Sequence, residues 1–149
     1  RSRSSRASLR AAGIGTISNG SRRSRPPCTR DRPGSQGIWR AVAGAVPDPE
    51  CCLVNFYGDG ARMGLHQDRD EANFDWPVVS ISLGDDALFR VGGTERGGKT
   101  ESIWLQSGDV AVMGGAARLN YHGIDRIKFG SSSLLKEGGR LNVTLRVVR

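Results

Sequence analysis

The feature that most constrains the fold is a series of short β-type runs that fills the chain from residue 51 to residue 148. The runs are rich in β-branched and aromatic residues, and turns rich in Gly, Asp and Asn separate them. They are CCLVNFY (51–57), PVVSISLG (77–84), DALFRV (86–91), ESIWLQ (101–106), DVAVM (109–113), LNYHGI (119–124) and RLNVTLRVV (140–148). Short strands at this close spacing predict an all-β sandwich or barrel, with a jelly roll as the best candidate.

Residues 1–50 have a different composition. They are rich in Arg, Ser, Pro and Gly, and they offer few positions for a core, so we predict a disordered or irregular tail before a domain at 51–149. Ten arginines and three acidic residues give this tail the whole net charge of +7. A basic arm that contacts phosphates, a transit peptide and an artefact of a wrong start or reading frame all remain open. Within it, GIWRAVAGAV (37–46) is predicted to form a short helix or strand.

The cysteines and the apolar runs indicate the redox compartment and whether the chain associates with a membrane. Cys28, Cys51 and Cys52 are odd in number and lack a CxxC spacing, which argues against a disulfide framework and a zinc knuckle. We therefore expect a cytoplasmic protein. No apolar run approaches the roughly 20 residues that span a bilayer, so we expect no membrane partner.

Two histidines define a candidate metal site. His66 opens the motif HQD, and Asp68 lies on the same side of an extended segment because side chains alternate along a strand. His122 would arrive from a distant strand. Two imidazoles and one carboxylate form the facial triad of non-haem Fe(II) oxygenases, which leaves metal positions open for co-substrate and O2. Zinc stays an alternative, since it accepts the same ligand types.

The last run raises a question about its polar face. In RLNVTLRVV, Arg140, Asn142 and Arg146 alternate with apolar residues, so they share one face of the strand. A solvated face is the common outcome, but planar guanidinium groups also bind carboxylates well. The strand NFY adds Asn55 and Tyr57, which can donate hydrogen bonds to a carboxylate. The two arginines reach one site only if the strand curves or the side chains converge.

The order of these motifs resembles the AlkB family of DNA-repair dioxygenases, in its bacterial branch. The resemblance covers about residues 51–149 and rests on four segments in order: CLVNFYGDGARMGLHQDRDE, PVVSISLGDDALFRVGG, SGDVAVMGGAARLNYHGI and GGRLNVTLRVV. It implies a double-stranded β-helix, which is a jelly roll, holding Fe(II) with 2-oxoglutarate and O2 as co-substrates.

The resemblance also implies roles for individual residues. His66, Asp68 and His122 would ligate the iron. Arg140, assisted by Tyr57, would pair with the distal carboxylate of 2-oxoglutarate. The end of 2-oxoglutarate near the metal would be contacted by the other cofactor residues, Asn55, Asn142 and Arg146. Asp70 resembles the family's residue that reads the exocyclic amine of the damaged base, and Arg96 resembles a basic residue near the nucleic-acid strand.

The implied reaction is oxidative demethylation of N-alkylated bases in single- or double-stranded DNA, or in RNA, by a monomer, giving succinate, CO2 and formaldehyde. The family places a nucleotide-recognition lid before the segment equivalent to CLVNFY, and residues 1–50 do not resemble it. Two alternatives therefore stand: a 2-oxoglutarate dioxygenase acting on a protein or small molecule, and a truncated homologue without the lid that only binds nucleic acid through its basic arm.

Overall fold

The computed structural model of the protein describes residues 33–149. Within them, one α-helix is followed by eight strands. The helix is α1 (Pro33–Val42), and the strands are β1 (Cys51–Tyr57), β2 (Met63–His66), β3 (Val78–Gly84), β4 (Asp86–Val91), β5 (Glu101–Leu105), β6 (Val110–Met113), β7 (His122–Lys128) and β8 (Arg140–Arg146). A 3-10 turn, Gly115–Ala117, lies between β6 and β7.

The strands form two antiparallel four-stranded sheets. Their strand orders are β1-β8-β3-β6 in the first sheet and β2-β7-β4-β5 in the second. Consecutive strands of the chain therefore often lie in different sheets, as in a jelly roll, where eight strands make two facing sheets. The predicted all-β, double-stranded β-helix fold is confirmed.

Helix α1 covers the outer face of the first sheet. Trp39 is almost fully buried there beside Val79, Ile81 and Leu145, which are the outward-facing apolar residues of β3 and β8. The Trp39 indole N–H donates a hydrogen bond of 3.1 Å to the Pro47 carbonyl, so the segment after the helix is fixed as well. The helix thus seals the side of the sheet that faces away from the second sheet.

The two inner faces of the sandwich differ in polarity. The second sheet presents an apolar wall that includes Phe89 and Ile124, both buried, and Tyr57 packs against it from the first sheet. The inner face of the first sheet is instead polar. The buried polar residues there are Asn55, Ser80, Ser82, Arg140, Asn142, Thr144 and Arg146. A polar inner face opposite an apolar one suits a ligand that has both polar and apolar parts. The polar inner face of the first sheet is called the pocket floor below.

A glycine lets β2 and β7 approach closely beside the histidines. A Cβ atom on Gly123 would lie 2.5 Å from the Met63 carbonyl oxygen and 2.8 Å from that of Gly64. The pairing of β2 with β7 is irregular between Met63 and His66. A larger residue at position 123 would push the strands apart at the metal-site end.

Several elements differ from the expectation. Strand β2 was not predicted, β7 begins at His122 and runs to Lys128, and α1 begins four residues before the GIWRAVAGAV segment. Residues 33–42 differ from the irregular tail that their composition predicts, because Ile38, Trp39 and Val42 share one helix face and pack on the sheet. Residues 43–50 have no regular secondary structure, as predicted. Residues 1–32 lie outside the described residues, so the tail predicted there stays a prediction.

Within residues 33–149, no helix has the length and apolar character that crossing a membrane would require.

Candidate metal centre

The three predicted metal ligands lie together at one end of the second sheet. His66 ends β2, His122 begins β7, and the two are direct cross-strand partners. Asp68 follows two residues after His66. One ligand atom from each of the three residues lies within 4.8 Å of the others, and the His122 Nε2 is 3.7 Å from the Asp68 Oδ2. Residues 56 positions apart in sequence therefore form one compact donor set.

Backbone carbonyls orient both imidazoles. The Nδ1 atom of His66 lies 2.8 Å from the Gly64 carbonyl oxygen, and the Nδ1 atom of His122 lies 2.8 Å from that of Asn120. At these distances each Nδ1–H donates a hydrogen bond, which fixes the tautomer with a lone pair on Nε2. Metal-binding histidines are commonly held in this way.

The donor set fits a divalent metal. The Nε2 of His66 and the Oδ2 of Asp68 are buried, and neither has a hydrogen-bond partner among the described residues. Burial raises the pKa of Asp68 to about 7, although Arg146 opposes this shift, and burial lowers the pKa of His66. Buried polar atoms normally have partners, so this arrangement is explained by a cation that accepts both lone pairs and restores the carboxylate charge.

The polar face of β8 points inward rather than to solvent. Arg140 and Asn142 have no exposed surface, and Thr144 and Arg146 are each 2% exposed. Strand β8 lies between β1 and β3, and Asn142 is opposite Asn55 of β1 and Ser82 of β3. The row of alternating polar residues therefore forms the floor of the pocket.

Arg140 is held in place but keeps unused donors. Its Nη2 donates a hydrogen bond of 3.0 Å to the Ser82 hydroxyl, and its guanidinium carbon lies 5.2 Å from the centre of the Tyr57 ring. Its Nε and Nη1 are buried and have no hydrogen-bond partner among residues 33–149. Burial lowers the pKa of Arg140, and Tyr57 opposes this shift only in part. An anionic partner would therefore compensate a costly buried charge.

Asn142 is the centre of an amide–hydroxyl network next to Arg140. Its Nδ2 donates a hydrogen bond of 2.5 Å to the Ser80 hydroxyl, and its Oδ1 accepts one of 3.0 Å from Thr144. The Asn55 Nδ2 donates to the same Oδ1 over 3.5 Å. These contacts fix Asn142 and Asn55, two of the predicted 2-oxoglutarate residues, on the pocket floor.

Arg146 lies near the metal ligands rather than beside Arg140. Its Nη1 is 2.6 Å from Glu71 Oε1, 3.9 Å from Asp68 Oδ1 and 4.0 Å from Asp70 Oδ2. Burial lowers the pKa of Arg146, but its hydrogen bond with Glu71 and the charges of Glu71 and Asp68 raise it above the ordinary value overall. The two arginines of β8 therefore mark the two ends of the pocket floor.

The two predicted substrate residues lie outside this buried group. The Asp70 side chain is 56% exposed at the end of the pocket that holds Arg146. Arg96 is exposed on the loop between β4 and β5, where its guanidinium carbon lies 5.8 Å from the centre of the Tyr121 ring. Tyr121 directly precedes His122 in the chain, so Arg96 contacts the sequence neighbour of a metal ligand.

Sequence reasoning missed four residues of the site. Ser80 and Ser82 alternate with apolar residues in β3, and that alternation could have placed them on the pocket floor. Glu71 and Arg118 form a buried ion pair of 2.8 Å between loops 47 positions apart. No local pattern links two loop residues at that separation, so the sequence carries no signal for this pair.

Comparisons with known proteins agree with this geometry. A family model described as the 2OG-Fe(II) oxygenase superfamily matches residues 28–146. The alpha-ketoglutarate-dependent dioxygenase AlkB homolog of Caulobacter vibrioides is 56% identical over 117 residues, which are 78% of this chain and 53% of the relative. The DNA N(6)-methyladenine demethylase ALKBH1D of Arabidopsis thaliana is 42% identical over 111 residues, 68% of this chain and 25% of the relative.

A solved structure of OsALKBH1 is also similar. It superposes with a TM-score of 0.61 at 40% identity, covering 76% of this chain and 59% of that chain. The chain spans about half the length of the Caulobacter relative.

Proposed function

Because the chain belongs to the 2OG-Fe(II) oxygenase superfamily and within it to the AlkB family, we propose that it demethylates N-alkylated bases in DNA by Fe(II)- and 2-oxoglutarate-dependent oxidation. RNA is a second substrate in this proposal. A relative named as a DNA N(6)-methyladenine demethylase supports a methylated base in nucleic acid as the substrate class. The proposal extends to a role in DNA repair.

The observation that carries the proposal is the placement of two complementary groups in one pocket. His66, Asp68 and His122 form a compact donor set at the end of the second sheet. On the pocket floor of the first sheet, two donor nitrogens of the buried Arg140, Nε and Nη1, have no hydrogen-bond partner among the described residues. A metal ion at the first group and a dicarboxylate between the two groups would satisfy both. A site for metal alone would leave the buried charge of Arg140 unexplained.

The protein's own residues do the binding and orienting. When bound, Fe(II) with 2-oxoglutarate and O2 supplies the oxidising chemistry that hydroxylates an N-methyl group, and the overall products are the demethylated base, formaldehyde, succinate and CO2. Arg140 and Tyr57 would hold the distal carboxylate, while Asn55 and Asn142 would contact the co-substrate from the pocket floor. The apolar wall of the second sheet limits the access of water from the other side.

The exposed residues at the pocket mouth would select the base. Asp70 offers a carboxylate that can accept a hydrogen bond from an exocyclic amine, and Arg96 offers a cation to a phosphate. The base has to leave its stack to reach the metal, because the ligands lie at the end of a buried sheet. In this proposal the protein acts as a monomer in the cytoplasm. The odd number of cysteines and the lack of a CxxC spacing in the sequence support a reducing compartment.

Turnover of a methylated oligonucleotide tests the proposal. The protein is supplied with Fe(II), 2-oxoglutarate and an oligonucleotide carrying 1-methyladenine or 3-methylcytosine, and succinate and formaldehyde are measured. We expect equal amounts of formaldehyde and lost methyl groups, dependent on Fe(II). The Asp68→Ala variant should be inactive, whereas Asp125→Ala, at an exposed aspartate on β7, should retain full activity.

Two other outcomes would replace the proposal. Steady 2-oxoglutarate decarboxylation without turnover of any oligonucleotide would favour a dioxygenase that acts on a protein or a small molecule. Binding of oligonucleotide without succinate formation, weakened steeply by salt and lost when residues 1–32 are deleted and α1 is kept, would favour a non-catalytic nucleic-acid-binding protein.

A further inference from the structure

A buried ionic cluster lies behind the metal ligands, and its function is not explained by the predicted roles. Its members are Glu71, Arg118 and Arg146, whose side chains are each 2% exposed. Glu71 is hydrogen-bonded through Oε1 to Arg146, at 2.6 Å, and through Oε2 to Arg118, at 2.8 Å. One carboxylate thus links two guanidinium groups that come from β8 and from the turn before β7.

Arg118 connects three points of the segment that carries the metal carboxylate. Its Nη1 donates a hydrogen bond of 3.0 Å to the main-chain carbonyl of Asp68, and its Nε donates one of 2.9 Å to that of Trp76. Its Nη2 contacts Glu71 between these two points. The single side chain of Arg118 therefore holds the loop at its first residue, Asp68, at its last residue, Trp76, and at Glu71 between them.

The position of Arg118 in the chain gives these contacts a consequence for the metal site. Arg118 follows the 3-10 turn and lies four residues before His122. Its bonds therefore couple the loop that carries Asp68 to the segment that leads into His122. A buried ion pair is costly to desolvate and is often not more stabilising than apolar packing, so this cluster is better explained by the geometry that it fixes.

We propose that Arg118 and Glu71 are positioning residues, which hold the Asp68 carboxylate and the Arg146 guanidinium in the geometry that binds the metal. The inference rests on the proposed function only in assuming a divalent metal at His66, Asp68 and His122. Residues that orient metal ligands change metal affinity by 10- to 100-fold when they are replaced. Arg118→Met, which keeps length and removes all donors, should weaken metal binding within this range.

Mn(II) binding to the full chain tests this inference without any need for catalysis. Free Mn(II) is counted by electron paramagnetic resonance during titration, and folding is checked by circular dichroism and thermal melting. We expect Arg118→Met to bind Mn(II) 10- to 100-fold more weakly than the parent. Arg118→Lys keeps the charge and one donor group, and Glu71→Gln keeps the shape of the side chain. Both variants should therefore lose less Mn(II) affinity than Arg118→Met. The visible absorption of bound Co(II) should shift in Arg118→Met, reporting altered ligand geometry.

A matched control separates positioning from stability. Asp85 is another buried carboxylate, hydrogen-bonded to the backbone amides of Gly130, Ser132 and Gly139 on the loop before β8. Asp85→Asn should lower the melting temperature and leave Mn(II) affinity unchanged. An equal loss of affinity in Asp85→Asn would overturn the inference, since reduced stability alone would explain both.

The remaining outcomes of the Mn(II) and Co(II) measurements also test the positioning role. A folded Arg118→Met protein with the parent's Mn(II) affinity and Co(II) spectrum would refute the positioning role and leave the proposed function intact. If Arg118→Met does not fold, unchanged affinity in both Arg118→Lys and Glu71→Gln would refute it. A parent protein that binds no Mn(II) would instead contradict the proposed function.

Discussion

Replacing Arg140 with leucine tests the assignment of the pocket floor most quantitatively. Arg140 is fully buried, and its Nε and Nη1 donors have no hydrogen-bond partner among the described residues. Each charge-assisted hydrogen bond contributes about 1.5 kcal/mol at the low end of its range, so two such bonds to a carboxylate contribute about 3 kcal/mol. At about 1.4 kcal/mol per tenfold change, Arg140→Leu should weaken 2-oxoglutarate binding about 150-fold.

Calorimetric titration of the Mn(II)-loaded protein with 2-oxoglutarate measures this loss directly, because Mn(II) binds the co-substrate without starting turnover. Ser82→Ala removes the 3.0 Å hydrogen bond between the Ser82 hydroxyl and Arg140. It should lower the free energy of unfolding by about 1 kcal/mol and weaken 2-oxoglutarate binding less than Arg140→Leu does. Arg126→Leu removes an exposed arginine of β7 and should change nothing. An Arg140→Leu variant that is folded and binds 2-oxoglutarate as tightly as the parent would refute the reasoning.

Three further predictions concern the scaffold around the site. Trp39→Ala should lower the free energy of unfolding by about 3–5 kcal/mol in chemical denaturation, because a buried indole leaves a cavity between α1 and the first sheet; a loss below about 1 kcal/mol would contradict that packing. Burial disfavours the Asp85 charge, but hydrogen bonds from four backbone amides outweigh it and lower the pKa of Asp85 below 3.8. The contribution of Asp85 to stability should therefore be complete above about pH 4 and disappear as the pH falls through the lower folded-state pKa. Asp85→Asn should therefore be less stable than the parent at pH 7 and should show a smaller fall in melting temperature between pH 4 and pH 2. Parallel curves of melting temperature against pH for the two proteins would contradict this role of the Asp85 charge. Gln67→Leu removes hydrogen bonds to the carbonyls of Leu119 and Thr94, so hydrogen exchange of the loop between β4 and β5 should accelerate, and unchanged exchange would be evidence against this tie.

Much of the fold could be predicted because the strands from residue 51 onward have simple alternating patterns with clear turns. Strand β2 escaped because MGLH has no β-branched residue, and its place depends on pairing with β7 across the chain. Helix α1 was obscured by the Arg- and Pro-rich composition around it. Its formation depends on a surface for Trp39 that exists only after β3 and β8 have paired.

The candidate site shows the same division between local and non-local information. The spacing of His66 and Asp68 and the alternation of β8 are local, so they were visible in the sequence. The alternation alone could not tell solvent from pocket, because the apolar side of β8 is covered by α1 and the polar side faces the second sheet. The contact of Glu71 with Arg118 depends on how two loops meet, and it follows from no periodic pattern.

Anomalous X-ray diffraction from crystals grown with Mn(II) and 2-oxoglutarate tests the central claim most directly. The account predicts one strong manganese peak bounded by the Nε2 atoms of His66 and His122 and a carboxylate oxygen of Asp68. It also predicts that the distal carboxylate of 2-oxoglutarate contacts the Nε and Nη1 donors of Arg140. A manganese peak elsewhere on the described part of the chain, or a co-substrate that does not contact Arg140, would contradict the account.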